Sequence, residues 1–466
     1  MNETPMGYAA IKELAKVRRC TIPDLLGMSR TNDPFFFGSP AHQRDAEWFA
    51  EWWHRLGFAG RSSVHLRAIH YRLVSQDPPP VLPDGTSYLN TLECWSYLTA
   101  ASKAARYLRL VDVEAFEDHR NPNPMIYARR LVETRRELVT EPWREWDLPE
   151  VRAGFDRFYL PLPTFSAIGY EYDAARQPYH LEVWVEKSTM NSVLLPVCWR
   201  HNVNLVTSVG FQSVSSAVDL LRRVESHGKP ARILFISDFD PAGSFMPDAV
   251  ARQLEYWRER LNIDVDIKLQ PLALTREQVI GYALPGIPIK ESDRRKAGFE
   301  RRNGMEATEL DALEALRPGE LERLVLDAIS PYRDLALPDR WQESAEAAES
   351  IAHQAESWVV ADVQHECRAI QSGIRAVLEG YHERIANLNA DLQHDLEPFK
   401  PRLEVVRQAI QNAMEQVPEA FPLPELPISD LPVQDDKDWL FDSNRDYLDQ
   451  LKYYKARHAD AGEVSP

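Results

Sequence analysis

Two short hydrophobic runs near the middle of the chain each lead into acidic residues. The first run, residues 181–185, is followed by Glu186, and the second, residues 232–236, leads to Asp238 and Asp240. Apolar, β-branched and aromatic runs of this length are typical of strands buried on both faces, as in a parallel sheet. Ligands bind beyond the carboxyl ends of such strands, so the three carboxylates are expected to converge there.

The residues around these runs alternate between strand and helix patterns. Residues 203–209 form another apolar run, and residues 214–224 place Val214, Val218 and Leu221 on one face of a helix. A helical pattern over 247–261 and an alternating strand pattern over 264–269 follow. The order strand, helix, strand, helix, strand predicts an α/β fold with a Rossmann-like parallel sheet in residues 161–335.

Glu186, Asp238 and Asp240 are candidate ligands of a divalent cation. Three carboxylates at one sheet edge repel each other unless a cation lies among them, and an all-oxygen site with open positions suits Mg²⁺, with Mn²⁺ as a second possibility. In an extended segment, the two side chains of Asp-x-Asp point the same way and can share one ion. The alternative is an acidic strand end followed by an ordinary turn at Asp-Pro-Ala-Gly.

The same residues carry a resemblance to a known family. Val185-Glu186-Lys187, residues 206–211 and the Asp-Phe-Asp-Pro-Ala-Gly segment of residues 238–243 resemble the three signatures of a Toprim domain. The form of the first and last is most similar to that of the topoisomerase VI A subunit and the related meiotic double-strand-break protein. This resemblance, which covers roughly residues 61–335, implies Mg²⁺ on Glu186, Asp238 and Asp240, with Glu186 also in the catalytic set.

The first 125 residues read as helical. Residues 1–60 predict an N-terminal helical extension with helices over 8–16 and 41–56, the second starting near Ser39. That second helix is rich in aromatic residues, which predicts a packing surface, with a base-stacking platform as the alternative. Residues 61–125 predict three helices, a loop long enough for a short wing and a candidate returning strand over 110–113, an order that fits a winged-helix domain.

Arg67 and Tyr71 are four residues apart and share one face of a predicted helix. An exposed tyrosine beside an arginine can attack a phosphodiester while the arginine steadies the phosphate, although a helical tyrosine is more often a half-buried packing residue. In the topoisomerase VI A family, the nucleophile closes an Arg-x-x-aromatic-Tyr motif in a winged-helix domain. Residues 67–71 are similar to that motif, with His70 at the usually aromatic position, and the resemblance implies that Tyr71 is the nucleophile.

Basic residues suggest where DNA would be contacted. Lys187 follows the first acidic strand end, and Lys290, Arg294 and Arg295 belong to the most basic stretch of the chain, with a solvated loop as the alternative. Arginines at 129, 130, 135 and 136 recur with a helical pattern, which predicts a bridging helix within the linker of residues 126–160. That helix could track a phosphate backbone or present a solvated face, since glutamates interleave with the arginines.

Net charge is distributed unevenly along the chain. The formal charge of −17 argues against a nucleic-acid partner at first sight. However, residues 1–340 hold 43 Lys+Arg against 47 Asp+Glu, whereas residues 341–466 hold 11 against 24. The C-terminal part is therefore the acidic part: residues 341–416 predict a helical hairpin arm, and residues 417–466 a proline-rich acidic linker and a tail able to dock as a short helix.

Composition narrows the class of protein. No apolar run approaches the roughly 18 residues that span a bilayer, and no basic-then-apolar signal pattern opens the chain. The four cysteines are far apart and include no Cys-x-x-Cys, which indicates reduced thiols rather than a disulfide framework or a zinc site. We therefore expect a cytoplasmic protein, and the DNA partner implied by the resemblance would associate it with the nucleoid.

The resemblance implies an enzyme like the topoisomerase VI A subunit, a type IIB topoisomerase component. Tyr71 would cleave double-stranded DNA and form a 5′-phosphotyrosyl link, in a homodimer where one chain's tyrosine meets the other chain's metal site. No Gly-x-x-x-x-Gly-Lys-Ser/Thr motif is present, so strand passage would need a separate ATPase subunit. Two alternatives stay open: a metal-dependent nuclease that uses water, and a non-enzymatic DNA-binding subunit of a larger complex.

Overall fold

The computed structural model describes residues 6–117, 121–133, 135–140, 146–149, 158–208, 213–291, 293, 295–381, 389–432, 434 and 438–459. The chain forms two compact units, and each is assembled from separate stretches of sequence. The first unit comprises Met1–Arg130, Gln177–Arg333 and Leu431–Pro466, and the second comprises Leu131–Arg176 and Asp334–Asp430. No helix in the described residues is both long enough and apolar enough to cross a membrane.

A five-stranded sheet forms the centre of the first unit. Its strand order is β4-β3-β5-β6-β7, and β7 alone runs antiparallel to its neighbour. The prediction of an α/β fold with a parallel sheet is therefore confirmed. The strands are β3 (His180–Val185), β4 (Asn204–Thr207), β5 (Ala231–Ile236), β6 (Ile267–Ala273) and β7 (Phe441–Asp442).

Alternate residues of the central strands face opposite sides of the sheet, as strand geometry requires. Val183 and Val185 of β3 pack into one hydrophobic core, whereas Trp184 packs into the other. All six residues of β3 and all six of β5 are buried, which explains why both strands are mainly apolar; the exceptions are His180, Glu182 and Arg232.

Helices cover both faces of this sheet. On the face of Trp184 lie α6 (Val214–His227), capped by Ser213, and α7 (Met246–Leu261). Both were predicted from helical periodicity, and both are confirmed. The helices on the face of Val183 and Val185 are α5 (Asn191–Arg200), α8 (Arg276–Gly281), α9 (Lys296–Asn303), α10 (Leu310–Leu316) and α11 (Glu320–Ile329).

The N-terminal region is helical, but residues 61–117 contain two α-helices where three were predicted, because one helix, Leu92–Tyr107, runs unbroken through the second and third. Ser39 caps the second helix by accepting a hydrogen bond from the His42 amide at 3.3 Å. Trp48, Phe49 and Trp53 of this helix are buried, which confirms the packing interpretation for these three rings. The helices are α1 (Tyr8–Arg18), α2 (Pro40–Arg55), α3 (Leu66–Val74) and α4 (Leu92–Tyr107).

The C-terminal tail docks on the first unit, as its apolar residues predicted. After β7, helix α16 (Tyr447–Ala459) packs into the same core as α7. Arg252 of α7 is fully buried and donates to both carboxylate oxygens of Asp33, at 3.0 and 3.1 Å, and to the Tyr447 hydroxyl at 3.4 Å. The arginine thereby ties an N-terminal segment and the tail to one helix.

The second unit departs from two predictions. No helix occurs in the described residues between 126 and 160; instead, β1 (Glu137–Thr140) pairs antiparallel with β2 (Phe165–Ile168). The β-branched residues Val139 and Thr140 favour a strand over the predicted bridging helix. The expected two-helix hairpin is a set of shorter helices: α12 (Leu337–Val360), α13 (Gln364–Tyr381), α14 (Asn389–Leu396) and α15 (Phe399–Ala420).

Candidate functional site

The acidic site lies at the carboxyl edge of the central sheet. Strands β3 and β5 are aligned so that Val185 lies opposite Ile236, and the Glu186 amide donates to the Ile236 carbonyl at 3.0 Å. The chain leaves β3 toward β4 on one side and returns to β5 on the other, so β3 and β5 flank the point where strand order reverses. Open α/β sheets bind ligands at such a point.

Asp238 is the most enclosed of the three predicted carboxylates, with 6% of its surface exposed. Its Oδ1 accepts a hydrogen bond from the Leu310 amide at 2.8 Å, and its Oδ2 lies 2.8 Å from Lys187 Nζ. The Asp238 amide in turn donates to Glu186 Oε2 at 3.3 Å. Glu186 and Asp238 are thus adjacent, as the sequence predicted.

Asp240 organises the turn that follows. Its Oδ1 accepts hydrogen bonds from the amides of Ala242, at 2.8 Å, and Gly243, at 2.6 Å. The tight turn brings Gly243 against the backbone of Asp238, so that a Cβ on Gly243 would lie only 2.2 Å from the Asp238 carbonyl oxygen. Asp-Pro-Ala-Gly is therefore turn chemistry that also positions the two aspartates.

The carboxylates are close enough to shift the ionisation of Glu186 and Asp238. Burial and the charges of Asp238 and Asp240 raise the pKa of Glu186 to about 7. Burial also raises the pKa of Asp238, against the opposing effect of its hydrogen bond from Lys187. Like charges held together in this way favour binding of a proton or of another cation.

Lys187 lies inside the acidic cluster rather than beside it. Besides Asp238, its ammonium group contacts Glu309 and Asp311, each at 3.3 Å. Partial burial would lower the pKa of Lys187, but hydrogen bonds to these carboxylates raise it above its ordinary value. The side chain predicted to bind DNA is therefore engaged with protein carboxylates in this structure.

The donor chemistry of the site fits a hard divalent cation. Glu186, Asp238 and Asp240 offer only carboxylate oxygens, which Mg²⁺ and Mn²⁺ prefer, and their mutual repulsion would be relieved by such an ion. Within the described ranges, no group of three His, Cys, Asp or Glu side chains is arranged to hold a metal ion as it stands. The hydrogen bonds just described already occupy both oxygens of Asp238 and one of Asp240.

Tyr71 and Arg67 lie on an exposed face of α3. The tyrosine is 61% exposed, and Arg67 is exposed one turn earlier on the same helix. Among the described residues, no hydrogen bond or ion pair joins either side chain to Glu186, Asp238 or Asp240. The tyrosine is therefore accessible to a ligand but is not linked to the acidic cluster of its own chain.

His70 anchors the helix that carries Tyr71. The imidazole is buried, with Nδ1 2.7 Å from the Tyr88 hydroxyl and Nε2 3.2 Å from Asn90 Oδ1. It also packs edge-to-face against Trp95 of α4. This histidine thus packs against its neighbours as an aromatic residue would, and its polar contacts hold α3 in place.

The other predicted DNA-binding residues differ in whether their charge is already paired with a carboxylate. Lys290 is exposed and has no ion-pair partner in the part of the chain that is described. Arg295 is also exposed, but it makes a two-pronged ion pair with Asp293, with contacts of 3.0 and 2.9 Å. Arg294 lies outside the described residues. Of the three predicted residues that the structure describes, Lys290 is therefore the most available to a phosphate.

Glu309 and Asp311 were not predicted to belong to the site. Glu309 precedes α10 and Asp311 lies in its first turn. Leu310, between them, supplies the amide that donates to Asp238. A sequence signal was present, because Glu309-Leu310-Asp311 repeats the acid-x-acid spacing of residues 238–240. Nothing in the spacing shows that this segment returns to the same sheet edge.

Comparison with known proteins adds no assignment to this geometry. No protein-family model matches the chain, and no curated protein shows significant sequence similarity to it.

Proposed function

We propose that the protein cleaves double-stranded DNA by tyrosine transesterification, with a Toprim-like sheet domain and a winged-helix-like domain similar to those of the topoisomerase VI A subunit. The observation that carries the proposal is the convergence of Glu186, Asp238 and Asp240 beside the strand-order reversal of the sheet. The exposed Tyr71, with Arg67 on the same helix, supplies the nucleophile.

The reaction requires little covalent chemistry from the protein. The Tyr71 oxygen attacks the phosphorus of a phosphodiester, the bond to the 3′ oxygen breaks, and the departing 3′ oxygen takes up a proton as the tyrosine loses one. Arg67 steadies the phosphate by charge-assisted hydrogen bonds. A Mg²⁺ or Mn²⁺ ion held by Glu186, Asp238 and Asp240 would stabilise the charge that builds on the phosphate.

The proposal includes an assembly. Because Tyr71 is not linked to the acidic cluster within one chain, we infer a homodimer in which each tyrosine serves the partner's cluster. A separate ATPase subunit would drive strand passage, since the sequence has no phosphate-binding loop of the Walker type. Such an assembly would act in the cytoplasm, at the nucleoid.

Plasmid cleavage tests this function. Purified protein with supercoiled plasmid and Mg²⁺ or Mn²⁺, stopped with denaturant, should yield DNA with covalently attached protein. Tyr71→Phe should abolish the adduct while DNA binding persists, and Asp238→Asn should also abolish it. Tyr159→Phe is a matched control, because Tyr159 is 71% exposed and far in sequence from Arg67. Adducts that persist in Tyr71→Phe would exclude the tyrosine role.

A water-using nuclease is the second candidate, and one observation favours it. The acidic cluster is assembled within a single chain, without a contribution from Tyr71. Free DNA ends that carry no protein, that are unaffected by Tyr71→Phe and that are lost in Asp238→Asn, would establish this function instead. An intact plasmid under all these conditions, together with binding to duplex DNA, would instead support a non-enzymatic DNA-binding subunit.

A further inference from the structure

Lys187 is the counter-ion of the acidic cluster in this structure. Its Nζ lies 2.8 Å from Asp238 Oδ2 and 3.3 Å from both Glu309 and Asp311. Among the described residues, no other lysine or arginine forms an ion pair with these three carboxylates, nor with Glu186 or Asp240. A single ammonium group therefore balances part of the charge of five acidic side chains.

The position of this ammonium conflicts with binding of a metal ion. Asp238 Oδ1 accepts a hydrogen bond from the Leu310 amide at 2.8 Å, which leaves Oδ2 for a metal ion. Lys187 Nζ lies 2.8 Å from Oδ2 and covers it. Two cations cannot share that oxygen at contact distance without strong repulsion. Metal entry thus requires the ammonium to move.

The structure also provides a place for the displaced ammonium. Glu309 and Asp311 are about half exposed, at 50% and 46%, and each already lies 3.3 Å from Nζ. Rotation of the flexible lysine side chain can break the Asp238 contact while keeping the other two. The lysine then stays paired instead of entering solvent.

We propose that Lys187 competes with the divalent cation for Asp238 and that Glu309 and Asp311 retain its ammonium group when the cation binds. Lys187 is therefore a positioning residue that holds the cluster in order without metal and lowers its affinity for metal. This inference rests on the metal site of the proposed function. It adds that Lys187 regulates whether a divalent cation occupies that site.

Mn²⁺ titration of the full-length protein without DNA tests the competition. Isothermal titration calorimetry should show Lys187→Gln binding Mn²⁺ about tenfold more tightly than the unsubstituted protein, because the competing charge is gone. Lys187→Arg keeps the charge and should not bind more tightly. Lys12→Gln, which removes an exposed lysine on α1, should leave the affinity unchanged. Thermal unfolding of each variant verifies folding.

A double-mutant cycle tests the role of the two receiving carboxylates. Glu309→Gln with Asp311→Asn should weaken Mn²⁺ binding when Lys187 is present, because the ammonium then stays on Asp238. In the Lys187→Gln background the same pair should have little effect. An equal loss in both backgrounds would make them metal ligands and overturn their assigned role.

The outcomes separate this inference from the proposed function. If Asp238-dependent cleavage occurs but Lys187→Gln binds Mn²⁺ no more tightly, or more weakly, the competition is wrong and the function stands. If neither protein binds Mn²⁺ and no cleavage occurs, both are wrong. If the Lys187→Gln protein does not fold, the Lys187→Arg protein provides the test. It should bind Mn²⁺ with unchanged affinity, and Glu309→Gln with Asp311→Asn should weaken that binding as much as in the unsubstituted protein. Tighter Mn²⁺ binding by Lys187→Arg would overturn the inference.

Discussion

Gly243 is held against the backbone of the acidic site. The nearest atom to a Cβ at this position would be the Asp238 carbonyl oxygen at 2.2 Å, with the Asp238 carbonyl carbon next at 3.1 Å. These are backbone atoms, which cannot rotate away as a flexible side chain can. Any side chain at position 243 must therefore displace the segment that carries Asp238 and Asp240.

We predict that Gly243→Ala reduces DNA cleavage by about 100-fold or more, since displacement of catalytic groups by about 1 Å has effects of that order. The forced backbone shift should also lower the free energy of unfolding by about 1–3 kcal/mol. Cleavage rates and urea unfolding measure the two effects. Gly298→Ala, in α9 where a Cβ meets nothing within 4 Å, is the control: it should leave cleavage unchanged and raise the free energy of unfolding by up to about 1 kcal/mol, the ordinary gain of alanine over glycine in a helix. Cleavage at the unsubstituted rate in Gly243→Ala would contradict the geometry.

At this scale, the sequence predicts some of the site well. Glu186, Asp238 and Asp240 were found because each follows an apolar run whose carboxyl end must reach the same sheet edge. Glu309 and Asp311, the partners of Lys187, were not found from the sequence. They return to that edge through a loop and a short helix that have no periodic pattern of their own. Nor does the sequence show that Tyr88 and Asn90 hold His70.

Among the elements, β3 and α6 are joined by a buried polar network. Glu182 is fully buried and accepts hydrogen bonds from Arg223, at 2.9 and 3.0 Å, and from Trp184 at 2.8 Å. His180 lies 2.8 Å from Glu182 and 2.7 Å from the His227 ring at the end of α6. These contacts tie the helix to the strand that presents Glu186.

This network predicts a pH dependence of stability. Burial, followed by the nearby His180 and Lys229, lowers the pKa of His227 to about 4 from 6.5. The unfolded chain therefore binds the proton more readily, so the contribution of His227 is complete above pH 6.5 and is lost as the pH falls toward 4. The free energy of unfolding of the unsubstituted protein should fall over this range relative to that of His227→Gln.

Urea unfolding at several pH values between 4 and 7.5 measures this difference, and the comparison with the variant removes the effect of other titrating groups. Ser226→Ala, at the neighbouring position of α6, serves as the control and should follow the unsubstituted protein. Parallel pH profiles of the free energy of unfolding for the unsubstituted protein and His227→Gln would show that His227 does not contribute to the pH dependence of stability.

Periodicity predicted α6 and α7 well because each has one apolar face on a deep core. It failed for β1, where arginines and glutamates suggested a helix but β-strand pairing with β2 satisfies the backbone. It also merged α12 and α13, because the sequence around Val360 to Gln364 stays rich in helix-compatible residues although the chain turns there. Tertiary contacts, which a local pattern does not contain, decide both cases.

For the whole molecule, charge must be considered by position rather than as a sum. The −17 net charge opposes DNA binding, yet residues 1–340 hold 43 basic and 47 acidic side chains. Many of the basic side chains are already paired with carboxylates, as Arg295 is with Asp293. DNA affinity should therefore depend on the few exposed basic residues that lack such partners.

We predict that Lys290→Gln weakens binding to duplex DNA and reduces the slope of log affinity against log salt by about 1, the value for one phosphate contact. Arg295→Gln is the matched comparison and should have a smaller effect, because Asp293 already neutralises that arginine. Fluorescence anisotropy over a series of salt concentrations measures both. Equal effects of the two substitutions would show that the Asp293 pair opens on binding.

The tail that completes the central sheet has a consequence for how the protein is made. The first unit is built from three separate stretches of sequence, and the stretch that begins at Leu431 is synthesised last. Until then, β6 has no β7 beside it, and Arg252 has no Tyr447 above it. Native assembly of the first unit therefore needs the segment that begins at Leu431, and a chain that stops before it would lack both β7 and the core contacts of α16.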